Sequence, residues 1–261
     1  MTTSNAIKKV LIIFAHPDRR SLNGSLLDAT VKRLESQGRE VKVSDLYGMN
    51  WKSEITEDDF PETHEKGTRL KVVSESLNAF QHHKLTPDVV AEQEKLKWAD
   101  LVIFQFPLWW FSLPAILKGW VERVFSAGLA YCLPERYGNG AFAGKKAMVM
   151  VSTGGSDTHY SATGVNGPID DILFPIQHGM MFYTGMSVLP PFVTYAADFL
   201  ADDKLDSVLE HLDNHFKDLD SLKPIAYRKQ AEDYDPKTKQ LKKELVGASN
   251  EKGFSLHIRK D

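Results

Sequence analysis

The chain has 261 residues, a net charge of -3 and 26% charged residues, a mildly acidic balance that excludes the basic face needed for non-specific nucleic-acid binding. Its single cysteine, Cys132, excludes an intrachain disulfide and a thiolate metal cluster, and fits a reducing cytoplasmic compartment. With 42% hydrophobic residues it can bury a real core. No apolar run approaches the ~20 residues of a membrane helix, and Val10–Ala15 is too short for a secretory leader, so a soluble protein without membrane insertion is expected.

Val10–Phe14 is a continuous apolar, β-branched run, as expected of a strand buried on both faces. His16–Asn23 is polar and turn-rich. Gly24–Gln37 has helical spacing, with Leu26, Leu27, Val31 and Leu34 on one face, and Glu40–Ser44 alternates as a second strand. After an irregular stretch over 47–66, helices are predicted over 67–82 and 87–98, the second opened by Thr86-Pro87. Leu101–Phe106 is a buried strand, Pro114–Phe125 a helix and Ala147–Ser152 a fourth strand. Ile169–His178 reads as a short helix. Met186–Leu189 with Val193 reads as a fifth strand broken by Pro190 and Pro191, and Asp202–Leu219 as a closing helix. Strands alternating with helices predict an α/β fold, a five-stranded parallel sheet with helices on both faces.

The shift in composition predicts a division of the chain into a main domain, residues 1–222, and a charged extension, residues 223–261. The extension reads either as a solvated tail or as a segment packed on the domain or on a second subunit through Phe254 and Leu256.

In such sheets ligands sit beyond the carboxyl ends of the strands, so three loops matter. His16–Ser25 runs into a helix, where Ser21, Asn23 and Ser25 offer caps and backbone N–H groups suited to phosphate. His16, Arg19 and Arg20 are expected to add positive charge there. The same residues also satisfy plain N-capping. Pro107–Ser112 carries Leu108, Trp109, Trp110 and Phe111 between stiffening prolines. Such rings either complete a core or wall a flat ligand. The third loop, Thr153–Gly167, opens with Gly154-Gly155, where backbone approaches a ligand closely, and carries Asp157, His159 and Tyr160, the last able to donate to developing negative charge. Together the loops predict phosphate, flat rings and polar edge contacts. Without G-x-G-x-x-G or a P-loop, a flavodoxin-like flavin site remains. His211 and His215 lack the intervening glutamate of a zinc motif, and no G-x-S-x-G occurs.

The strings SDLYGMNW, LTPDVVAEQEKL, ADLVIFQFPLWWFSLPAILKGWVERVF, STGGSDTHYSATGVNG and FPIQHGMMFYTG resemble the cytosolic NAD(P)H:quinone oxidoreductases, from Lys9 to about Phe254. The resemblance implies a flavodoxin-like three-layer sandwich, a homodimer with active sites at its interface, and two-electron reduction of quinone by NAD(P)H through bound FAD rather than FMN, with ping-pong kinetics. It implies flavin contacts from His16, Ser21, Leu22, Asn23 and Ser25, from Pro107, Leu108, Trp109, Trp110 and Phe111, and from Ser152, Thr153, Gly154, Gly155 and Tyr160. Tyr160 and Asn166 are the implied catalytic pair. Ala130, Tyr131, Cys132 and Phe182 are the implied substrate contacts, Tyr131 reaching across the dimer interface.

The chain departs from the family pattern in two places. Trp109 replaces a common glutamine. Asn166 stands where the vertebrate NAD(P)H enzyme has a histidine, and asparagine cannot take up a proton near neutral pH. A branch that prefers dihydronicotinamide riboside shares GVNG and binds a metal near its QHG. Here Phe182 replaces the second histidine, and no metal is expected. Azo compounds, nitroaromatics or chromate are alternative acceptors. A regulatory subunit of a potassium-efflux system is the non-enzymatic alternative.

Overall fold

The computed structural model of the chain describes residues 6–201, 204–246 and 252–260. In chain order it runs β1 (Lys9–Phe14), α1 (Leu22–Ser36), β2 (Glu40–Asp45), α2 (Val72–Gln81), α3 (Pro87–Trp98), β3 (Leu101–Pro107), α4 (Ala115–Val124), β4 (Lys146–Ser152), α5 (Ile169–Ile176), β5 (Ser187–Val188), β6 (Phe192–Thr194) and α6 (Leu205–Lys217). The sheet order is β2-β1-β3-β4-β5, all parallel, and β6 also pairs with β4. The outer strand is thus one strand cut in two by Pro190 and Pro191, since proline cannot donate to the ladder.

The buried runs of β1, β3 and β4 have two apolar faces, and each meets its own helices. Leu11, Ile13, Val102, Phe104, Val149 and their neighbours pack on α3, α4 and α5. Val10, Ile12, Phe14, Ile103 and Met150 pack on α1 and α6. β2 is an edge strand, largely open to solvent. The order 2-1-3-4-5 reverses direction between β1 and β3, and a crevice opens there at the carboxyl ends.

A polar network holds the long irregular segment before α2, and a second ties α3 to α4. The buried Arg123 guanidinium meets Asp59 at 2.8 Å and Asp88 at 2.7 Å, and lies over the Trp51 ring at 4.6 Å. Lys52 reaches Asp59 at 2.7 Å. Nearby, Trp120 Nε1 donates to the fully buried Glu92 at 2.8 Å, and Lys95 pairs with the same carboxylate at 2.6 Å.

The predicted helix over 169–178 divides. Pro175 lacks the N–H that would bond back to Asp171, and α5 gives way to a wider π-helical stretch over Gln177–Phe182. Beyond α6 the extension folds back onto its own chain. The Ile225 amide donates to Val188 O at 2.8 Å, and Tyr227 is buried. Phe254 stacks on Phe174 with centroids 4.2 Å apart, and Arg259 pairs with Asp233 at 2.7 Å. Between extension and domain lies a cavity of about 390 Å³, lined by Arg136, Tyr137, His178, Tyr183, Tyr234 and His257 among others.

Candidate active site

The loops after β1, β3, β4 and β6 converge on one cleft of about 440 Å³, a size typical of small-molecule sites. It is lined by His16, Ser21, Leu22 and Asn23 from the first loop, by Pro107, Leu108, Trp109 and Trp110 from the second, and by Ser152, Thr153, Gly154, Gly155 and Tyr160 from the third. Ala197 and Asp198 complete it.

Each loop is fixed by hydrogen bonds. Ser21 caps α1 by accepting from the Gly24 amide at 3.2 Å. His16 Nδ1 lies 3.0 Å from Ser21 Oγ and accepts from the Asp18 amide at 3.1 Å. A Cβ on Gly24 would lie 1.9 Å from Arg19 O, so only glycine lets the loop close against the helix. The start of α1 is tied across the sheet by buried groups: Asn23 Nδ2 donates to Ser152 Oγ at 2.9 Å, and Gln105 Nε2 donates to Asn23 O at 2.8 Å. The free N–H groups of the first turn therefore have a set position at the cleft floor, where they favour an anion.

Trp109–Ser112 is a tight turn with Trp110 and Phe111 both in the left-handed region, at φ 49° and 59°. The Ser112 amide donates to Trp109 O at 3.0 Å. Two large aromatic residues in that region cost free energy. Packing does not repay it, because Trp110 is 96% exposed, Phe111 52% and Trp109 41%. Trp109 leans toward His16 with centroids 6.3 Å apart.

On the opposite wall Thr153 Oγ1 donates to Gly155 O at 2.8 Å. A Cβ on Gly155 would lie about 3.0 Å from His159 Nδ1 and 3.1 Å from the Tyr160 ring, so glycine leaves that ring its place. The Asn166 amide donates to His159 O at 3.0 Å, which keeps Asn166 on the Tyr160 loop. Tyr195 packs 6.0 Å from Tyr160, and burial, with Asp170 and Asp157 nearby, raises the pKa of its hydroxyl.

Several expected residues lie outside this cleft. Arg19 and Arg20 do not add charge to it, because each is satisfied by a local acid: Arg19 by Asp28 at 2.5 Å and Arg20 by Asp18 at 2.7 Å. The Arg20 guanidinium in turn holds the Asp18 carboxyl down to about 2. Ser25 sits in the first turn of α1, its amide bonded to Ser21 O, Phe111 follows the lining Trp110, and Asn166 is bonded to His159, the residue before the lining Tyr160. Ala130 and Phe182 are buried within the chain, Phe182 against His178, Tyr137 and Tyr227, so neither side chain opens onto the cleft. Tyr131 faces a separate pocket of about 20 Å³ beside Ser76 and Arg123, and Cys132 is exposed.

Sequence reasoning missed Ala197, Asp198 and Gln105. The first two follow the broken outer strand, and the rule that selected the other loops applies to theirs as well. Gln105 is the one polar side chain inside LVIFQFP, and that interruption was its signal. Among the described residues, no group of three or more His, Cys, Asp or Glu side chains gathers in a way that could hold a metal ion, and no helix is long and apolar enough to cross a membrane.

Comparison with known proteins places this arrangement. A family model for the flavodoxin-like fold matches residues 8–217. The chain is 48% identical over 260 residues to a ribosyldihydronicotinamide dehydrogenase-like protein of Penicillium crustosum, covering 96% of both chains. It is 43% identical to rat NAD(P)H dehydrogenase [quinone] 1, covering 78% of this chain and 75% of that one. It is also 43% identical to human ribosyldihydronicotinamide dehydrogenase [quinone], covering 76% of this chain and 85% of that one. A Klebsiella pneumoniae structure solved as a candidate quinone reductase superposes with TM-score 0.91 at 45% identity, over 97% of this chain and 100% of that one. The chain belongs to the flavodoxin-like NAD(P)H dehydrogenase (quinone) family.

Proposed function

We propose that this protein is a flavin-dependent oxidoreductase that passes two electrons from a reduced nicotinamide to a quinone, with FAD as its cofactor. The observation that carries the reading is the cleft itself. One end offers the amides of α1, one wall offers unpacked aromatic rings, and the other wall offers glycine backbone and a tyrosine hydroxyl. A phosphate-bearing flat heterocycle satisfies all three. The names of the relatives at 43–48% identity support the activity. FAD over FMN rests on the family resemblance.

When bound, FAD supplies the two-electron carrier chemistry that links donor to acceptor. The chain's own residues bind, orient and shield. The first-turn amides of α1, with Ser21 and Asn23, hold phosphate. Trp109 and Trp110 would wall the ring and exclude water, with Phe111 beside them on the same turn. The Tyr160 hydroxyl would donate a hydrogen bond that stabilises the negative charge a bound flavin gains on reduction. Asn166 anchors the Tyr160 loop through its backbone N–H, which donates to His159 O, and its side chain takes up no proton near neutral pH. Donor and acceptor use the slot in turn, which gives ping-pong kinetics. The exposed Trp110, Phe111, Val165 and Phe199 support a homodimer whose second subunit covers the slot.

The test is anaerobic titration of purified protein with NADH, NADPH and dihydronicotinamide riboside, following flavin absorbance, and then addition of a quinone. Bleaching by one donor and recovery with quinone is the expected result. A colourless preparation that stays colourless in excess FAD or FMN would overturn the reading.

A further inference from the structure

The cavity of about 390 Å³ between extension and domain is lined by two cations, Arg136 and Lys239, and by no aspartate or glutamate. Other cations of the extension are already committed. Arg259 pairs with Glu232 and Asp233, Lys229 pairs with Glu232, and Arg228 donates to Leu256 O at 2.9 Å. Arg136 and Lys239 form no ion pair among the described residues. The Arg136 guanidinium donates to a neutral group, Gln230 Oε1, at 3.1 Å, and lies 5.9 Å from the centroid of the Tyr183 ring. Asp235, in the same turn as Lys239, accepts from the Lys237 and Thr238 amides at 2.9 and 2.7 Å. That turn fixes the Lys239 backbone, at φ 60°, through the bond from its amide to Asp235 O.

The rings of the cavity supply flat walls and no charge. On the domain side Tyr137 stacks on His178 at 5.0 Å and meets Tyr183 edge-on at 5.1 Å. On the extension side the Tyr234 and His257 rings lie 7° from parallel, with Tyr234 Oη 2.6 Å from His257 Nδ1. Burial depresses the His178 pKa to about 4 and lowers that of His257, the latter also under the field of Arg228. Both imidazoles are therefore uncharged near pH 7. Burial pushes the Tyr234 hydroxyl up to about 12, so it stays a phenol. The rings have satisfied one another and form preformed walls, while the two cations still lack a counter-charge.

We propose that this cavity binds a planar aromatic carboxylate, its acid group held by Arg136 and Lys239 and its ring lying along the tyrosine walls. The guanidinium offers a fork that matches a carboxylate, and the lysine adds a compact charge. The volume is near the small end for ligand pockets, which suits one or two fused rings and not a dinucleotide. A neutral aromatic molecule gains the walls but leaves both cations unpaired. A bare inorganic anion pairs the cations but leaves the walls unused. The same chemistry has two sources: an electron acceptor that carries an acid, or a separate aromatic acid that acts as an effector. The inference goes beyond the flavin reading and does not depend on it.

The experiment is calorimetric titration of purified protein, in excess FAD to keep the cleft filled, with naphthoate and with its uncharged counterpart naphthamide. Wild type, the double variant Arg136→Gln with Lys239→Gln, and Arg136→Lys are compared. The expected result is that wild type binds naphthoate about tenfold or more tightly than naphthamide, through charge-assisted hydrogen bonds. The double variant should lose that preference and keep its urea midpoint, because both side chains are exposed. Arg136→Lys, which keeps the charge, should retain most of it. Equal affinities for acid and amide in wild type, or a preference that survives in the double variant, would overturn the site. A steady-state assay with naphthoquinone assigns the source. Competition by naphthoate marks the acceptor, binding without competition marks a separate effector, and either sustains the site. A preparation that binds naphthoate but no flavin would overturn the flavin reading and leave this inference standing.

Discussion

Two groups of aromatic rings, one on the Trp109–Phe111 turn and one around His178, are alike in composition and opposite in state. Around His178 each ring has neighbours: Phe174 stacks on it at 4.5 Å and Tyr137 at 5.0 Å, Tyr227 meets it edge-on at 5.1 Å, and Phe254 closes over Phe174. On the turn the rings stand in solvent on a strained backbone. Ring content alone does not distinguish a core from a binding wall. What distinguishes them is whether the rings have satisfied one another before a ligand arrives.

That contrast is broken most severely by Phe174→Ala. Removing a ring stacked on both sides should cost about 3–4 kcal/mol of stability, read by urea unfolding, and leave FAD affinity within about twofold. Trp110→Ala should do the reverse. Unfolding should change by less than about 0.5 kcal/mol because the ring is exposed, while FAD binding weakens about tenfold or more through lost stacking and flavin is shed during purification. Full occupancy in the purified variant would remove Trp110 from the site.

Tyr160→Phe sharpens the comparison on the opposite wall. The flavin reduction rate in stopped flow should fall about tenfold through loss of one hydrogen-bond donor, with FAD affinity nearly unchanged. A rate equal to wild type would count against the hydroxyl.

The smallest effect concerns acid. Burial, with a smaller contribution from His257, depresses the His178 pKa to about 4, so the unfolded chain binds the proton first. Stability is then present in full above the ordinary histidine value near 6.5 and is lost as pH falls from there toward 4. His178→Phe should flatten this decline by about 1 kcal/mol after allowance for the ring's partial exposure, measured by denaturant midpoints at pH 7, 6 and 5. An unchanged pH slope would assign the acid sensitivity elsewhere.

Much of this molecule was legible because it is repetitive. Val10–Phe14 and Leu101–Phe106 are apolar on both faces, and only a covered parallel sheet accommodates that. Three of the four cleft loops were readable from one topological rule. The fourth was hidden by the proline pair, which fragments the outer strand and makes Tyr195–Phe199 look like ordinary linker. The charge of Arg19 and Arg20 was misjudged because sequence shows cations but not their commitments, and Asp18 and Asp28 neutralise both locally. The π-helical stretch after Pro175 depends on which carbonyls remain free, which no periodicity reports. Ala130, Tyr131, Cys132 and Phe182 came from resemblance alone, and a single chain does not bring them to the cleft.

The divided outer strand also limits how copies of this chain can meet. A continuous margin of unpaired amides and carbonyls invites a foreign strand to extend the ladder. Here that margin is two residues, then Leu189 and two prolines, then three residues, with Ile225 already bonded to Val188. Growth of the sheet past this side is closed. Association on this flank must therefore use side chains meeting side chains rather than extension of the ladder.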